Sequence, residues 1–166
     1  MHTPVIIRLG TKDDLGAVLG LIRELAIFEK CPNEVKVNLE GMEKDGFGPD
    51  AIFTVHVAEV DKEVVGIAIF YTAYSTWKGK FIFLEDLYVK ETWRGKEIGR
   101  KLFDSVAAYA ASVHAAFLKW EVLDWNTPAI EFYKKYNATI DSEWLKGRLK
   151  KEQLAEFRHK PIFTEL

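Results

Sequence analysis

The stretch Leu84–Gly99, LEDLYVKETWRGKEIG, decides the fold. Its approach is a strand, because Phe81, Phe83, Leu87 and Val89 fall on alternate positions. A short polar loop, Lys90 to Trp93, leads into Arg94-Gly95-Lys96-Glu97-Ile98-Gly99. Apolar residues then recur at helical spacing: Ile98, Leu102, Phe103, Val106, Ala107 and Ala110. A strand that turns directly into a helix leaves the helix's first N–H groups unpaired, with the helix dipole behind them. That is an anion site suited to a pyrophosphate. No Gly-Lys-Ser/Thr ending follows, which disfavours a nucleotide-triphosphate loop.

Outward from this segment the chain reads as alternating strands and helices. Val5–Leu9 is a strand, and Thr11-Lys12-Asp13-Asp14 is a capping-box variant with Thr11 as N-cap. The helix behind it runs through Leu15, Val18, Leu19, Ile22, Leu25 and Ala26 and ends before Pro32. A short helix over Leu39–Lys44 meets the dense turn signal Asp45-Gly46-Phe47-Gly48-Pro49. Phe53–Val60 and Val64–Tyr74 alternate about Asp61-Lys62-Glu63 as a hairpin, and Trp77-Lys78-Gly79-Lys80 makes the next turn. Beyond the central helix come a strand at Phe117–Leu123, a helix at Thr127–Tyr136 with Pro128 at its start, a strand at Ile140–Leu149 and a helix from Lys150 to Phe157. The order βααβββαβαβ predicts an α/β fold in three layers, a mixed sheet with helices on both faces. With no repeat or linker, residues 1–166 read as one domain.

Composition narrows the function classes. An apolar content of 48% supports a packed core. The 23 basic and 25 acidic residues are well mixed, so no basic stripe points to nucleic acid. No apolar run approaches the roughly 20 residues a membrane span needs. Residues 1–10 lack the pattern of a signal peptide, and Cys31 is the only cysteine, which fits a reducing cytoplasm. The four histidines show no ligand spacing, so no metal is expected.

The segment resembles motif A of the GNAT acetyltransferases, whose loop runs Arg or Gln, two residues, Gly, one residue, then Gly or Ala. Arg94 and Gly99 match its ends, and Glu97 stands where the middle glycine is usual. The resemblance covers nearly the whole chain. Glu24-Leu25-Ala26, Phe28-Glu29-Lys30, Asp45-Gly46-Phe47-Gly48, Tyr74 to Gly79, Leu84-Glu85-Asp86 and Asp124-Trp125-Asn126 are similar to the diamine acetyltransferase branch. Ser75-Thr76-Trp77 and Leu123 to Asn126 look closer to its thialysine N-epsilon-acetyltransferase subgroup than to the spermidine/spermine enzymes, which usually carry an acid at the Ser75 position.

The resemblance implies transfer of acetyl from acetyl-CoA to a primary amine of a small lysine-like or diamine substrate, by direct attack in a ternary complex. An alkylammonium of pKa near 10.4 leaves about one molecule in 2,500 neutral at pH 7, a cost of roughly 4–5 kcal/mol in apparent barrier. A carboxylate that binds the cation and takes its proton meets this need. Glu85 is the candidate, and Asp86, next on a strand, is expected on the opposite face. Tyr133 is the implied acid for the departing thiolate, since a phenol of pKa near 10 stays protonated at pH 7. Packing into the core is the plainer reading of that tyrosine.

Asn126 and the backbone of Leu87 and Val89 match ligands of the pantetheine arm, with helix capping a second reading for Asn126. The loop and first turn, Arg94, Gly95, Lys96, Glu97, Ile98, Gly99 and Arg100, match the pyrophosphate cradle. Phe28, Glu29 and Trp77 match acceptor positions, where an acid with aromatic walls suits an alkylammonium. Glu97 sets the main alternative, a silent acyl-CoA-binding module. A left-handed backbone there costs on the order of 1 kcal/mol, and a carboxylate near the pyrophosphate adds roughly 1–3 kcal/mol of repulsion. A protein-lysine acetyltransferase of the same fold is a further reading. The branch forms homodimers, for which Ile140–Leu149 and Pro161–Leu166 are the expected contact segments.

Overall fold

The computed structural model describes residues 4–163. They form two compact units, one up to Glu121 and one from Val122.

The first unit is built on five strands: β1 (Ile6–Leu9), β2 (Thr54–Val60), β3 (Glu63–Ser75), β4 (Gly79–Val89) and β5 (Leu118–Trp120). They lie side by side in chain order. The first four are antiparallel neighbours: tight turns join β2 to β3 and β3 to β4, while β1 reaches β2 through residues 10–53, which hold two α-helices. Only β5, which returns through a helix, runs parallel to β4. The helices are α1 (Leu15–Phe28), α2 (Leu39–Phe47) and α3 (Ile98–Ser112).

The two faces of the sheet can be told apart from their alternation. Val55, Val57, Ile67 and Ile69 share a core with Leu15, Val18, Leu19 and Leu21 of α1. The intervening residues face α3: His56 Nδ1 lies 2.8 Å from Ser105 Oγ, and the Phe70 ring sits 5.0 Å from that of Tyr109. Gly66 lets α3 settle onto this face, since a Cβ there would stand 3.0 Å from Leu102 Cδ1 and 3.1 Å from the Tyr88 carbonyl. The mixed sheet between helices is the architecture expected from the order of elements.

At the mouth of α1 the capping residue does more than cap. Asp14 accepts the Thr11 N–H at 2.7 Å and two bonds from the Arg8 guanidinium, at 2.7 and 2.9 Å. Arg8 also reaches Glu59 on β2 at 2.6 Å, so one ionic cluster joins β1, β2 and the start of α1. The Arg8 guanidinium holds the Asp14 carboxyl well below the usual carboxylate range.

The second unit holds α4 (Thr127–Lys134) and the short α5 (Lys151–Ala155). Pro128 sits in the first turn of α4, where its missing N–H costs nothing. The strand expected at 140–149 does not form. Every residue of that stretch is exposed, and no strand among the described residues pairs with it. Its alternation therefore lacks the partner that makes a strand stable. α2 runs to Phe47, through the first residues of the expected Asp45–Pro49 turn, and closes when the Gly48 N–H bonds to Lys44. Of the expected tail contact, Ile162 and Phe163 are exposed, while residues 164–166 lie outside the described residues.

Candidate active site

β4 carries the acids, and a bulge decides where they point. Ile69 of β3 pairs with Asp86 and Phe70 pairs with Leu84, so Glu85 is the extra residue on β4. Asp86, opposite Ile69, therefore takes the α1 face. Glu85 reaches that face too, where the Tyr71 hydroxyl donates to it at 3.0 Å. The expectation that Asp86 looks to the other side of the sheet is corrected: the extra residue cancels one alternation, and both carboxylates share a face. Glu85 is exposed and Asp86 half-buried.

This placement sets the chemistry of Asp86. Burial, then the charges of Glu85 and Glu29, push its carboxyl up to about 6. Glu29, at the C-terminal end of α1, thus belongs to the same acidic group. Sequence reading missed Asp86 because a bulge shows only in the pairing of two strands. Beside it, burial first and then the Glu85 bond push the Tyr71 phenol up to about 12, which keeps it a donor at neutral pH.

The other edge of β4 lies open. Lys90 donates its N–H to the Val65 carbonyl at 2.9 Å, which fixes the parity of the ladder. Tyr88 and Asp86 then bond to β3, while the N–H and C=O groups of Leu87 and Val89 point away from it. On that side β5 meets β4 only at Ile82, Phe83 and Leu84 among the described residues. Leu87 and Val89 thus offer main-chain groups to an extended ligand with amides of its own. Arg94 Nε already donates to the Val89 carbonyl at 3.1 Å.

Beyond β4, Gly95 takes φ 74° and Glu97 takes φ 60°, ψ 10°, a left-handed conformation immediately before α3. The strain expected of a side chain at 97 is therefore real. The exposed Glu97 carboxylate pairs with Arg100 at 3.1 Å. Lys96 stacks on Trp93, its Nζ 4.1 Å from the ring centroid. Ile98 is buried and anchors the turn, and Gly99 packs close to Val89. The first intrahelical bond runs from Lys101 N–H to the Glu97 carbonyl at 3.0 Å, leaving the N–H groups of Ile98, Gly99 and Arg100 at the open end of the helix. Main chain and charge both fit a pyrophosphate here.

Arg94 departs from the simple loop reading. Its guanidinium lies 5.1 Å from the Phe28 ring and 5.3 Å from that of Tyr88. It joins the cofactor-type loop to the end of α1, where Phe28 and Glu29 sit. Trp77 stands elsewhere, at the tip of the β3–β4 hairpin and 86% exposed. Six residue steps along the strand separate Gly79 from Glu85, about 20 Å at roughly 3.4 Å each. One chain does not bring Trp77 to its own acid pair. Ser75 has a local task at that tip, accepting the N–H groups of Trp77 and Lys78 at 3.3 and 3.2 Å.

In the unit from Val122, Asn126 caps α4 by accepting the Ala129 N–H at 3.3 Å, in line with the capping alternative. Tyr133 is buried on the same helix with its ring edge-on to Phe132, and burial pushes its phenol up to about 12. Among the described residues no His, Cys, Asp or Glu cluster could hold a metal ion, and no helix is long and apolar enough to cross a membrane.

A mixed sheet with an open central edge, an acid pair on a bulge and a helix N-terminus beyond it describes an acyltransferase fold. An integron cassette protein from the mobile metagenome of V. cholerae superposes with TM-score 0.75 over 94% of this chain and 98% of its own, at 22% identity. Residues 22–138 match the model of the acetyltransferase (GNAT) family, and the chain belongs to that family. It is 42% identical to the thialysine N-epsilon-acetyltransferase of Bos taurus, over 81% of this chain and 84% of that one. The thialysine N-epsilon-acetyltransferase of Sus scrofa is 37% identical over 94% and 98%.

Proposed function

We propose that the protein transfers acetyl from acetyl-CoA to the side-chain amine of a small lysine-like or diamine substrate. The observation that carries this reading is the acid pair on the α1 face of β4, with Asp86 pushed up to about 6 beside Glu85 and Glu29. A carboxyl near neutral pH is suited to receive a proton and then release it. The family match across 22–138 supports treating both units as one catalytic domain.

In this reading the ammonium is held by Glu85 and Glu29 and gives a proton to Asp86. The freed nitrogen attacks the acetyl carbonyl and the C–N bond forms; as the tetrahedral centre collapses and the C–S bond breaks, the nitrogen gives its second proton to solvent. Tyr133, kept protonated by burial, supplies the proton that the departing thiolate takes, and its phenolate is afterwards reprotonated from solvent. The main-chain groups of Leu87 and Val89 align the pantetheine arm, with Asn126 beside its helix cap. The residues from Arg94 to Arg100 hold the pyrophosphate, with the Glu97 charge offset by Arg100. Arg94 would leave the Val89 carbonyl as the arm takes that place.

We also infer a homodimer in a reducing cytoplasm. Trp144, Leu145, Ile162 and Phe163 are 78–98% exposed, apolar surface that a second copy would cover. Trp77, remote from Glu85 in its own chain, would join an acceptor site through a partner. Sedimentation of a fully active 19 kDa species would defeat the dimer.

Thiol release from acetyl-CoA across lysine, thialysine, diamines and polyamines tests the reaction. Turnover with lysine, thialysine or short diamines is expected. Acetyl-CoA binding without thiol release on any amine would point instead to a silent binding module.

A further inference from the structure

A cavity of about 570 Å³ lies in the first unit on the same sheet as the acid pair, within the range of small-molecule sites. It opens where β2 stops short. Thr54 begins β2 opposite Phe70, so β3 continues from Tyr71 to Ser75 with β4 on one side only. Phe47 at the end of α2, Ile52, Phe53 and Tyr109 of α3 wall the space, with Thr54 and Tyr71 beside the bare strand. None of its lining residues carries a charge.

Tyr71 connects this cavity to the chemistry, because its hydroxyl donates to Glu85 at 3.0 Å. A ligand whose ammonium rests on the acid pair therefore has the cavity one phenol ring away. The lining decides what the rest of that ligand is. A second ammonium or an α-carboxylate would shed water there without an ionic partner, which is costly. An aromatic ring or alkyl chain releases water from surface that is already apolar, such as Ile52, which is 69% exposed.

We propose that this cavity takes the uncharged aryl or alkyl tail of primary monoamines, a second acceptor class beside the lysine-like amines. The inference rests on the acetyl-transfer reading for its reaction, though not for its binding site. Two substitutions reshape the cavity without touching the acid pair. Ile52→Asp puts a charge on its wall. Gly46→Ala places a Cβ 2.4 Å from the Phe53 ring and displaces that ring.

The test combines two readouts on the full chain, with 4-phenylbutylamine, hexylamine, cadaverine and lysine as probes. Saturation-transfer NMR reads binding and thiol release reads kcat/KM. In the unsubstituted protein 4-phenylbutylamine should bind and be acetylated with kcat/KM at least that of cadaverine. Ile52→Asp should lower this kcat/KM at least tenfold, and Gly46→Ala should shift it several-fold. The KM for acetyl-CoA and turnover of lysine should stay within twofold. No binding of 4-phenylbutylamine, or a ratio to cadaverine that Ile52→Asp leaves within twofold, would overturn the proposal. Binding abolished by Ile52→Asp, with no amine acetylated, would uphold the cavity as a tail site and defeat the acetyl-transfer reading.

Discussion

Two acidic positions flank the cofactor-type segment, and they behave in opposite ways. On β4, Asp86 is half-buried beside Glu85 and Glu29, with no cation among the causes of its shift, and its carboxyl is pushed up to about 6. In the loop, Glu97 is exposed and paired with Arg100 at 3.1 Å. One acid is tuned and the other neutralised, within a dozen residues of each other. The difference teaches that an acid's role depends on how many like charges and how little water surround it.

The sharpest way to break this comparison is to remove the tuned charge. Asp86→Asn should lower turnover by about 10²–10⁴-fold, as expected for loss of a general base. The same change should stabilise the protein at pH 7. A carboxyl whose folded pKa is raised weakens folding as pH climbs from its unfolded value near 3.8 through about 6. Asparagine relieves this, by about 1–3 kcal/mol, readable in urea unfolding. Lower turnover with lower stability would mark Asp86 as structural. At the thiolate end, Tyr133→Phe should cost about 10²–10⁴-fold in turnover with acetyl-CoA affinity nearly unchanged.

A carboxylate of the contrasting kind sharpens the picture. Asp14 is held down by Arg8, so its stabilising effect is present above the unfolded value near 3.8 and fades as pH falls through the lower folded one. Asp14→Asn should destabilise the protein by about 2–3 kcal/mol at pH 7 and flatten the acid limb of its stability curve. The smallest effect belongs to the loop. Glu97→Gly should add about 1 kcal/mol of stability by relieving the left-handed backbone. Because the carboxylate is already paired, acetyl-CoA should tighten less than tenfold, checked by calorimetry at low salt. A gain near 3 kcal/mol in binding would mean that Glu97 faces the pyrophosphate after all.

The β2–β3–β4 part of the sheet was legible because its strands meet at hairpins whose turn residues are local in sequence. The loop before α3 was legible too, down to the strain at Glu97, since a positive φ follows from matching a glycine position. The bulge at Glu85 was not, because it exists only in the pairing of β4 with β3. With it went the face of Asp86, which alternation along one strand assigns wrongly. The Arg8–Asp14–Glu59 cluster was hidden for a like reason, since Arg8 and Glu59 are 51 residues apart. The stretch 140–149 failed in the other direction. Its alternation resembles a strand, but a strand needs a neighbour, and a single sequence does not say whether one is there.

Carbon-detected NMR titration of the Asp86 carboxyl tests the central claim most directly, in the unsubstituted protein and in Glu85→Gln and Glu29→Gln. A midpoint near 6 is expected, falling in each variant as a like charge is removed. A midpoint near 4 that neither substitution moves would contradict the shared face of the two acids and the proton transfer built on it.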